Sequence, residues 1–117
     1  MKFNCTQCGE CCRILGETLA KIENNGPPLI EPHLTELAAE FPYQVRDDGS
    51  CEMLVDGHCS VYEDRPDLCN YRRVYERFPG VAVSLEKWYL RMSRNCNFHI
   101  RIAQLPEKFI IDKPYLP

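Results

Sequence analysis

The sequence lacks two features that would mark its partners: a long apolar run and an excess of basic residues. No stretch approaches the roughly 20 consecutive apolar residues that a transmembrane helix needs, so we expect no membrane partner. Lysine and arginine number 14, and aspartate and glutamate 17, which leaves a formal charge of −3. A general nucleic-acid-binding protein would carry a basic surface instead, so we expect no nucleic-acid partner.

The N-terminus lacks a hydrophobic signal segment. Its first residues, Met1-Lys2-Phe3-Asn4-Cys5, include no apolar core of the kind that directs secretion. We therefore expect a cytoplasmic protein, in which thiols are kept reduced. The eight cysteines could pair as four disulfides in a secreted chain, whereas in a reducing compartment they favour metal ligands.

Material for a hydrophobic core is also limited. The 117 residues fit one domain over 1–117, but nine prolines and six glycines interrupt its regular elements. A modest core of this kind needs cross-links. We therefore predict a small α+β domain stapled by metal, with a few short helices, one short hairpin and much irregular chain.

Local patterns predict two helices and the hairpin. The first helix covers residues 32–41, with Pro32 in its first turn. The second follows the N-cap residue Ser84, buries one face and ends just before Cys96; this face comprises Leu85, Trp88, Tyr89 and Met92. The hairpin has strands within 51–54 and 59–62, joined by the turn sequence Asp56-Gly57.

The N-terminal cysteines have the spacing of a metal-binding knuckle. Cys5 and Cys8 are separated by two residues, so both can bind one ion from a tight turn whose backbone amides point at the sulfurs. Gly9 follows and accepts positive φ at little cost. A second two-residue spacing leads to Cys11, which strengthens the prediction of a thiolate metal site.

Cys11 and Cys12 are adjacent, and adjacent side chains usually point in different directions. We expect one of them to complete the site of the knuckle and the other to face a second site or the core. Eight thiolates suffice for two tetrahedral sites, or for one site with spare thiols. Either way, one or two zinc ions are the expected cofactor, and the metal ion is the expected partner, together with an unidentified protein.

A zinc ion with four thiolates has a net charge of −2, which needs donors or cations nearby when it is buried. Four arginines adjoin the cysteines and are candidates for this role, although solvated side chains are an equal alternative: Arg13, Arg65, Arg72 and Arg73. Glu10 is expected to be a solvated carboxylate, with a hydrogen-bonding role beside the metal ligands as the alternative. His58 is expected to be an exposed turn residue, with ligation next to Cys59 as the alternative.

The middle of the chain adds a longer motif. After C-x2-C-G-x-C-C come a D-G-x-C step and the pattern C-x-V-Y-x-x-R-P-x-x-C. The chain thereby resembles the CxxCxxCC family of zinc- or iron-chelating cysteine-cluster domains, over a little more than half its length. The matching residues are Cys5, Cys8, Cys11, Cys12, Cys51, Cys59, Tyr62, Arg65, Pro66 and Cys69.

The resemblance implies that the cysteines are metal ligands, with Cys96 as a less certain extension of the set. Tyr62 and Arg65 are expected to pack over the cluster, with the arginine directed toward sulfur, or else to be a core tyrosine and a surface arginine. Zinc is favoured, and a [4Fe–4S] cluster is the alternative. The bacterial ferredoxin run would continue C-x3-C-P after Cys11 or Cys12, but Leu15 or Gly16 stands there.

These observations support a metal-binding protein in which the metal is mainly structural. The alternative is an iron–sulfur protein with an oxidoreductase or group-transfer role. The sequence has no recognisable nucleophile–base pair, phosphate loop or dinucleotide fingerprint, which ranks that alternative second and leaves open whether the protein is an enzyme.

Overall fold

A computed structural model describes residues 1–23, 31–77 and 83–117, without the side chains of residues 31–33. Five α-helices lie in these ranges. They are α1 (Glu10–Arg13), α2 (Leu15–Glu23), α3 (Glu31–Ala39), α4 (Tyr71–Glu76) and α5 (Leu85–Ile102). Single 3-10 turns cover Tyr62–Asp64, Asp67–Cys69 and Glu107–Phe109. The second of these turns carries Cys69.

Two small antiparallel sheets accompany the helices. Strands β2 (Leu54–Val55) and β3 (His58–Cys59) form the predicted hairpin. Its turn residues Asp56 and Gly57 both have positive φ, +50° and +79°, as tight hairpin turns require. The second sheet pairs β1 (Lys2–Phe3) with β4 (Tyr115–Leu116) and so joins the two ends of the chain.

The predicted helices form, with different ends. Helix α3 contains Pro32 in its first turn, as predicted, and its buried Leu37 is 2% exposed. Helix α5 begins after Ser84, whose hydroxyl accepts a hydrogen bond from the Lys87 amide at 3.2 Å. The prediction that α5 ends before Cys96 is wrong, because the helix continues to Ile102 and places Cys96 in its interior.

Buried side chains form two clusters. The larger one contains Leu37, Val74, Trp88 and Tyr89 and is an ordinary apolar core. The other consists of Cys12, Leu15 and Cys51. Since two of its three members are cysteines, the first half of the chain buries sulfur where a larger domain would bury aliphatic carbon. None of the helices in the described ranges is both long and apolar enough to span a membrane.

Candidate metal centre

All eight cysteines line one cavity of about 500 Å³. Each of them is a free thiol. They come from β3, α1, α5, the 3-10 turn Asp67–Cys69 and irregular segments. The fold thus brings together every cysteine that the sequence marks as a candidate ligand, including Cys96.

The N-terminal segment has the predicted knuckle geometry. The Gln7 amide donates to Cys5 Sγ at 3.3 Å, and the Glu10 amide donates to Cys8 Sγ at 3.5 Å. Positive φ values at Gln7 (+55°) and Gly9 (+81°) turn the backbone so that these amides point at sulfur. Such N–H···S bonds favour the thiolate, the form that binds metal.

The knuckle packs against the hairpin turn. A methyl group at Gly9 would overlap the carbonyl oxygen of Gly57. Arg13 lies beside both glycines and donates from Nη1 to the Cys8 carbonyl at 2.9 Å. These contacts place the N-terminal cysteines next to the strands that carry the middle ones.

Cys11 and Cys12 differ in their surroundings, as the sequence predicts. Both lie in α1, where successive residues are about 100° apart around the axis. Cys12 is 8% exposed and packs against Leu15 and Cys51. Cys11 is exposed to the cavity, although the chain encloses it enough that burial raises its thiol pKa well above the usual value.

We call Cys5, Cys8, Cys11 and Cys96 the N-terminal thiol group. After burial, Cys96 and then Cys5 contribute most to the raised pKa of Cys11. Burial also raises the pKa of Cys96, to about 11, with smaller contributions from Cys5 and Cys8. The Tyr71 hydroxyl lies 3.5 Å from Cys96 Sγ. Burial raises the pKa of Tyr71 well above its usual value, followed by the effects of Cys11 and Cys96.

We call Cys12, Cys51, Cys59 and Cys69 the central thiol group. The Cys51 amide donates to the Cys12 carbonyl at 2.8 Å, and the Met53 amide donates to Cys51 Sγ at 3.4 Å. Burial raises the pKa of Cys12 to about 12, followed by the effects of Cys59 and Cys51. Cys59 also packs against the buried cluster that contains Cys12 and Cys51.

Arg65 and Tyr62 pack beside the thiols. The Arg65 guanidinium lies 4.2 Å from the Tyr62 ring centroid and donates to the carbonyls of Tyr62 (2.8 Å) and Cys69 (3.1 Å). The expected direction toward sulfur is therefore wrong, since Arg65 holds the backbone of Cys69. Burial raises the pKa of Cys69 to about 12, and Arg65 partly opposes this shift. Burial raises the pKa of Tyr62 to about 12, and Cys5 makes the next largest contribution.

The remaining candidates divide between the site and the surface. Arg72 donates to the Met1 carbonyl at 3.0 Å, and Arg73 is exposed on α4. His58 is exposed, as predicted, with Nδ1 3.3 Å from the Gln7 carbonyl. The expectation that Glu10 is solvated is wrong. Its side chain is 7% exposed, and Oε2 is buried without a hydrogen-bond partner.

The residues present fit a thiophilic metal. Soft thiolates are the donors that zinc and iron–sulfur clusters use, and the backbone amides of the knuckle and of Met53 already point at three of the sulfurs. Glu10 lines the same cavity, and its buried Oε2 has no hydrogen-bond partner among the described residues. Within the described ranges no three Cys, His, Asp or Glu side chains already converge as ligands of one ion do. Binding therefore requires that these side chains move closer together than they lie in this structure.

Sequence reasoning did not identify Tyr71 as a neighbour of the thiols. Asn70-Tyr71-Arg72 follows the last cysteine of the motif and has no spacing that indicates a role. The hydroxyl reaches Cys96 across 25 residues of sequence, a contact that only the packing of α4 on α5 creates.

A family comparison agrees with this site. The model of the CxxCxxCC family, described as "putative zinc- or iron-chelating domain", matches residues 4–98. The match extends past Cys69, the limit of the resemblance seen in the sequence, and includes Cys96. No curated protein and no solved structure matches the chain. Because the family model covers most of the chain, the protein belongs to the CxxCxxCC family of zinc- or iron-chelating domains.

Proposed function

We propose that this protein is a cytoplasmic zinc-binding module in which one or two ions are bound by the eight cysteines and serve mainly to stabilise the fold. The observation that carries the proposal is the placement of eight free thiols around one cavity. Free thiols at this density agree with a reducing compartment. Zinc is favoured over iron because the ferredoxin continuation after the third cysteine is missing.

The small core explains why the metal would be structural. Cys12 and Cys51 occupy positions in the second buried cluster that aliphatic side chains would otherwise fill. Structural zinc contributes on the order of 10 kcal/mol of binding free energy, and a domain is stable by about 5–15 kcal/mol in total. Removing the ion would therefore unfold the domain and not merely loosen it.

The chemistry supplied by such an ion is limited. A zinc ion with four thiolates has no open coordination position, so it holds chain segments together without activating water or substrate. The chain's own groups would keep the thiolates in place. The backbone amides donate to sulfur, and Arg13 and Arg65 fix the carbonyls of Cys8 and Cys69.

The experiment measures zinc and iron per chain in protein purified without added metal, then follows unfolding after chelation. We expect stoichiometric zinc, and loss of both the far-UV helical signal and the cooperative thermal transition once zinc is removed. His58→Gln is the matched control, because His58 is the imidazole next to Cys59 and should leave the zinc content unchanged. A metal-free preparation with an intact cooperative transition would contradict the proposal.

One observation favours the iron–sulfur alternative. The cavity of about 500 Å³ lies in the size range of small-molecule pockets and offers more room than single ions need. Anaerobic purification tests it: a brown protein with broad visible absorption and stoichiometric iron supports a cluster, and a colourless protein with zinc supports the proposed function.

A further inference from the structure

The helix geometry at Cys11 and Cys12 separates the thiols into two sets. Both side chains line the cavity, but they leave α1 about 100° apart, and of the two only Cys12 belongs to the buried cluster with Cys51. One tetrahedral ion cannot take both without distorting the helix, since its ligands must converge on one point. Each of the two cysteines therefore has its own set of three neighbours.

The neighbours of Cys11 are Cys5, Cys8 and Cys96. Helix α1 packs against α5, which carries Cys96. The Tyr71 hydroxyl lies 3.5 Å from Cys96 Sγ, and after burial Cys11 contributes most to the raised pKa of Tyr71, so both cysteines lie near this hydroxyl group. Cys5 and Cys8 complete the set from the knuckle that leads directly into α1.

The neighbours of Cys12 are Cys51, Cys59 and Cys69. The first of these neighbours, Cys51, is held by a backbone hydrogen bond. Its amide nitrogen lies 2.8 Å from the carbonyl oxygen of Cys12. Cys59 pairs with Leu54 across the hairpin and packs with Cys12 and Cys51. After burial, Cys51 and Cys59 contribute most to the raised pKa of Cys69. Cys69 also acts on Cys11, more weakly than Cys96 and Cys5 but more strongly than Cys8.

We infer that the protein has two separate four-thiolate metal sites, one made by the N-terminal thiol group and the other by the central thiol group, with the Cys11–Cys12 peptide between them. The inference rests on the proposed function and assigns ligands within it. Charge agrees with two sites, because each group has its own arginine: Arg13 at the Cys8 carbonyl and Arg65 at the Cys69 carbonyl. Each site would have a net charge of −2, and one cation lies beside each.

The experiment compares double variants that remove the same number of cysteines. Cys5→Ser/Cys96→Ser changes two members of one group, whereas Cys5→Ser/Cys59→Ser changes one member of each. Zinc retained per chain is measured by elemental analysis after equilibration with a competing chelator. We expect about two ions in the unmodified protein, about one in the first variant and none in the second. Equal retention by the two variants, or more in the second, overturns the assignment.

A measurement on the unmodified protein tests the same assignment if the variants fail to fold. Cadmium replaces zinc in thiolate sites, and its NMR couplings to cysteine β-protons identify the ligands of each ion. We expect two cadmium signals, each coupled to the four cysteines of one group. A single signal, or ligand sets that mix the groups, overturns the assignment and leaves metal binding intact. A protein that takes up neither zinc nor cadmium overturns the proposed function itself.

Discussion

Gly9 packs directly on the carbonyl oxygen of Gly57, so that two segments 48 positions apart in sequence meet without any side chain between them. Gly9 ends the knuckle that carries Cys5 and Cys8, and Gly57 forms the hairpin turn before Cys59. The contact therefore sets the distance between the two thiol groups. Only a residue without Cβ allows the backbones to approach this closely.

Gly9→Ala is expected to cost substantially more stability than loss of glycine flexibility alone. The methyl group would overlap the Gly57 oxygen, and φ at Gly9 is +81°. Positive φ costs an alanine about 1–2 kcal/mol, and forced overlap adds about 1–3 kcal/mol. Thermal or urea unfolding of the zinc-loaded protein measures the sum.

Gly49→Ala is the matched control for this prediction. Gly49 has nearly the same φ, +89°, but a methyl group there would meet nothing within 4 Å. It should therefore show the conformational cost without the overlap. If both variants lose the same stability, the close approach of the knuckle to the hairpin has no energetic importance.

Tyr71→Phe is expected to weaken metal binding by about tenfold, since groups that hydrogen-bond to ligands typically contribute this much. The ring would stay in place against Phe3, which it meets edge-on at 5.0 Å, while the hydroxyl beside Cys96 would be lost. Competition with a chromophoric chelator measures the affinity.

Tyr75→Phe controls for the loss of a tyrosine hydroxyl from α4. Its hydroxyl donates to the Val83 carbonyl at 2.8 Å, and its ring packs near Trp88. We expect reduced thermal stability and unchanged zinc affinity. Equal affinities in the two variants would show that the Tyr71 hydroxyl does not act on the thiol group.

The features that the sequence predicts well have local causes. The knuckle follows from cysteine spacing and from Gly9, the hairpin from Asp56-Gly57, and the start of α5 from the Ser84 cap. Each involves hydrogen bonds between residues within a few positions of one another. Such short-range hydrogen bonds depend on the local residue types, so they can be predicted without knowledge of the fold.

The features that the sequence does not predict depend on contacts between residues that are far apart in the chain. Asn95, Cys96 and Asn97 are weak helix formers, which favours a helix end near Cys96. The structure continues α5 because Asn97 bonds to the backbone of Ile111 in both directions, at 2.8 and 3.0 Å. The division of the cysteines into two groups has the same origin, since it depends on α1 meeting α5 and on Cys51 reaching Cys12.

Arg65→Lys is expected to reduce stability by about 1–3 kcal/mol, although the charge is kept. The guanidinium donates to two carbonyls at once and lies over the Tyr62 ring. A lysine ammonium has no planar fork with which to repeat this arrangement, and a buried carbonyl left unpaired costs about 1–3 kcal/mol. Arg73→Lys on the exposed face of α4 is the control and should leave the melting temperature of the loaded protein unchanged. A similar decrease of the melting temperature in both variants would show that the guanidinium of Arg65 does not specifically stabilise the central thiol group.

Alkaline pH is expected to destabilise the metal-free fold. Burial raises the thiol pKa from 9.0 to about 12 for Cys12 and Cys69, and to about 11 for Cys96. Between pH 9 and these values the unfolded chain loses protons that the folded chain retains. Stability present below pH 9 is therefore lost as pH rises, by up to about 1.4 kcal/mol per pH unit for each such thiol.

Chelated protein in a stabilising osmolyte provides the measurement, because sucrose strengthens burial and so raises the folded fraction of the metal-free chain. The far-UV helical signal should decrease from pH 9 to pH 11, and Cys69→Ala should make this decrease shallower by about one proton. Zinc-loaded protein should respond in the opposite sense. Its thiolates are already ionised, so it should keep its fold at pH 10 and lose both zinc and structure on acidification, as protons displace the ion. A metal-free fold that gains stability above pH 9 would mean that the thiols ionise more readily inside the protein than in water, contrary to their burial.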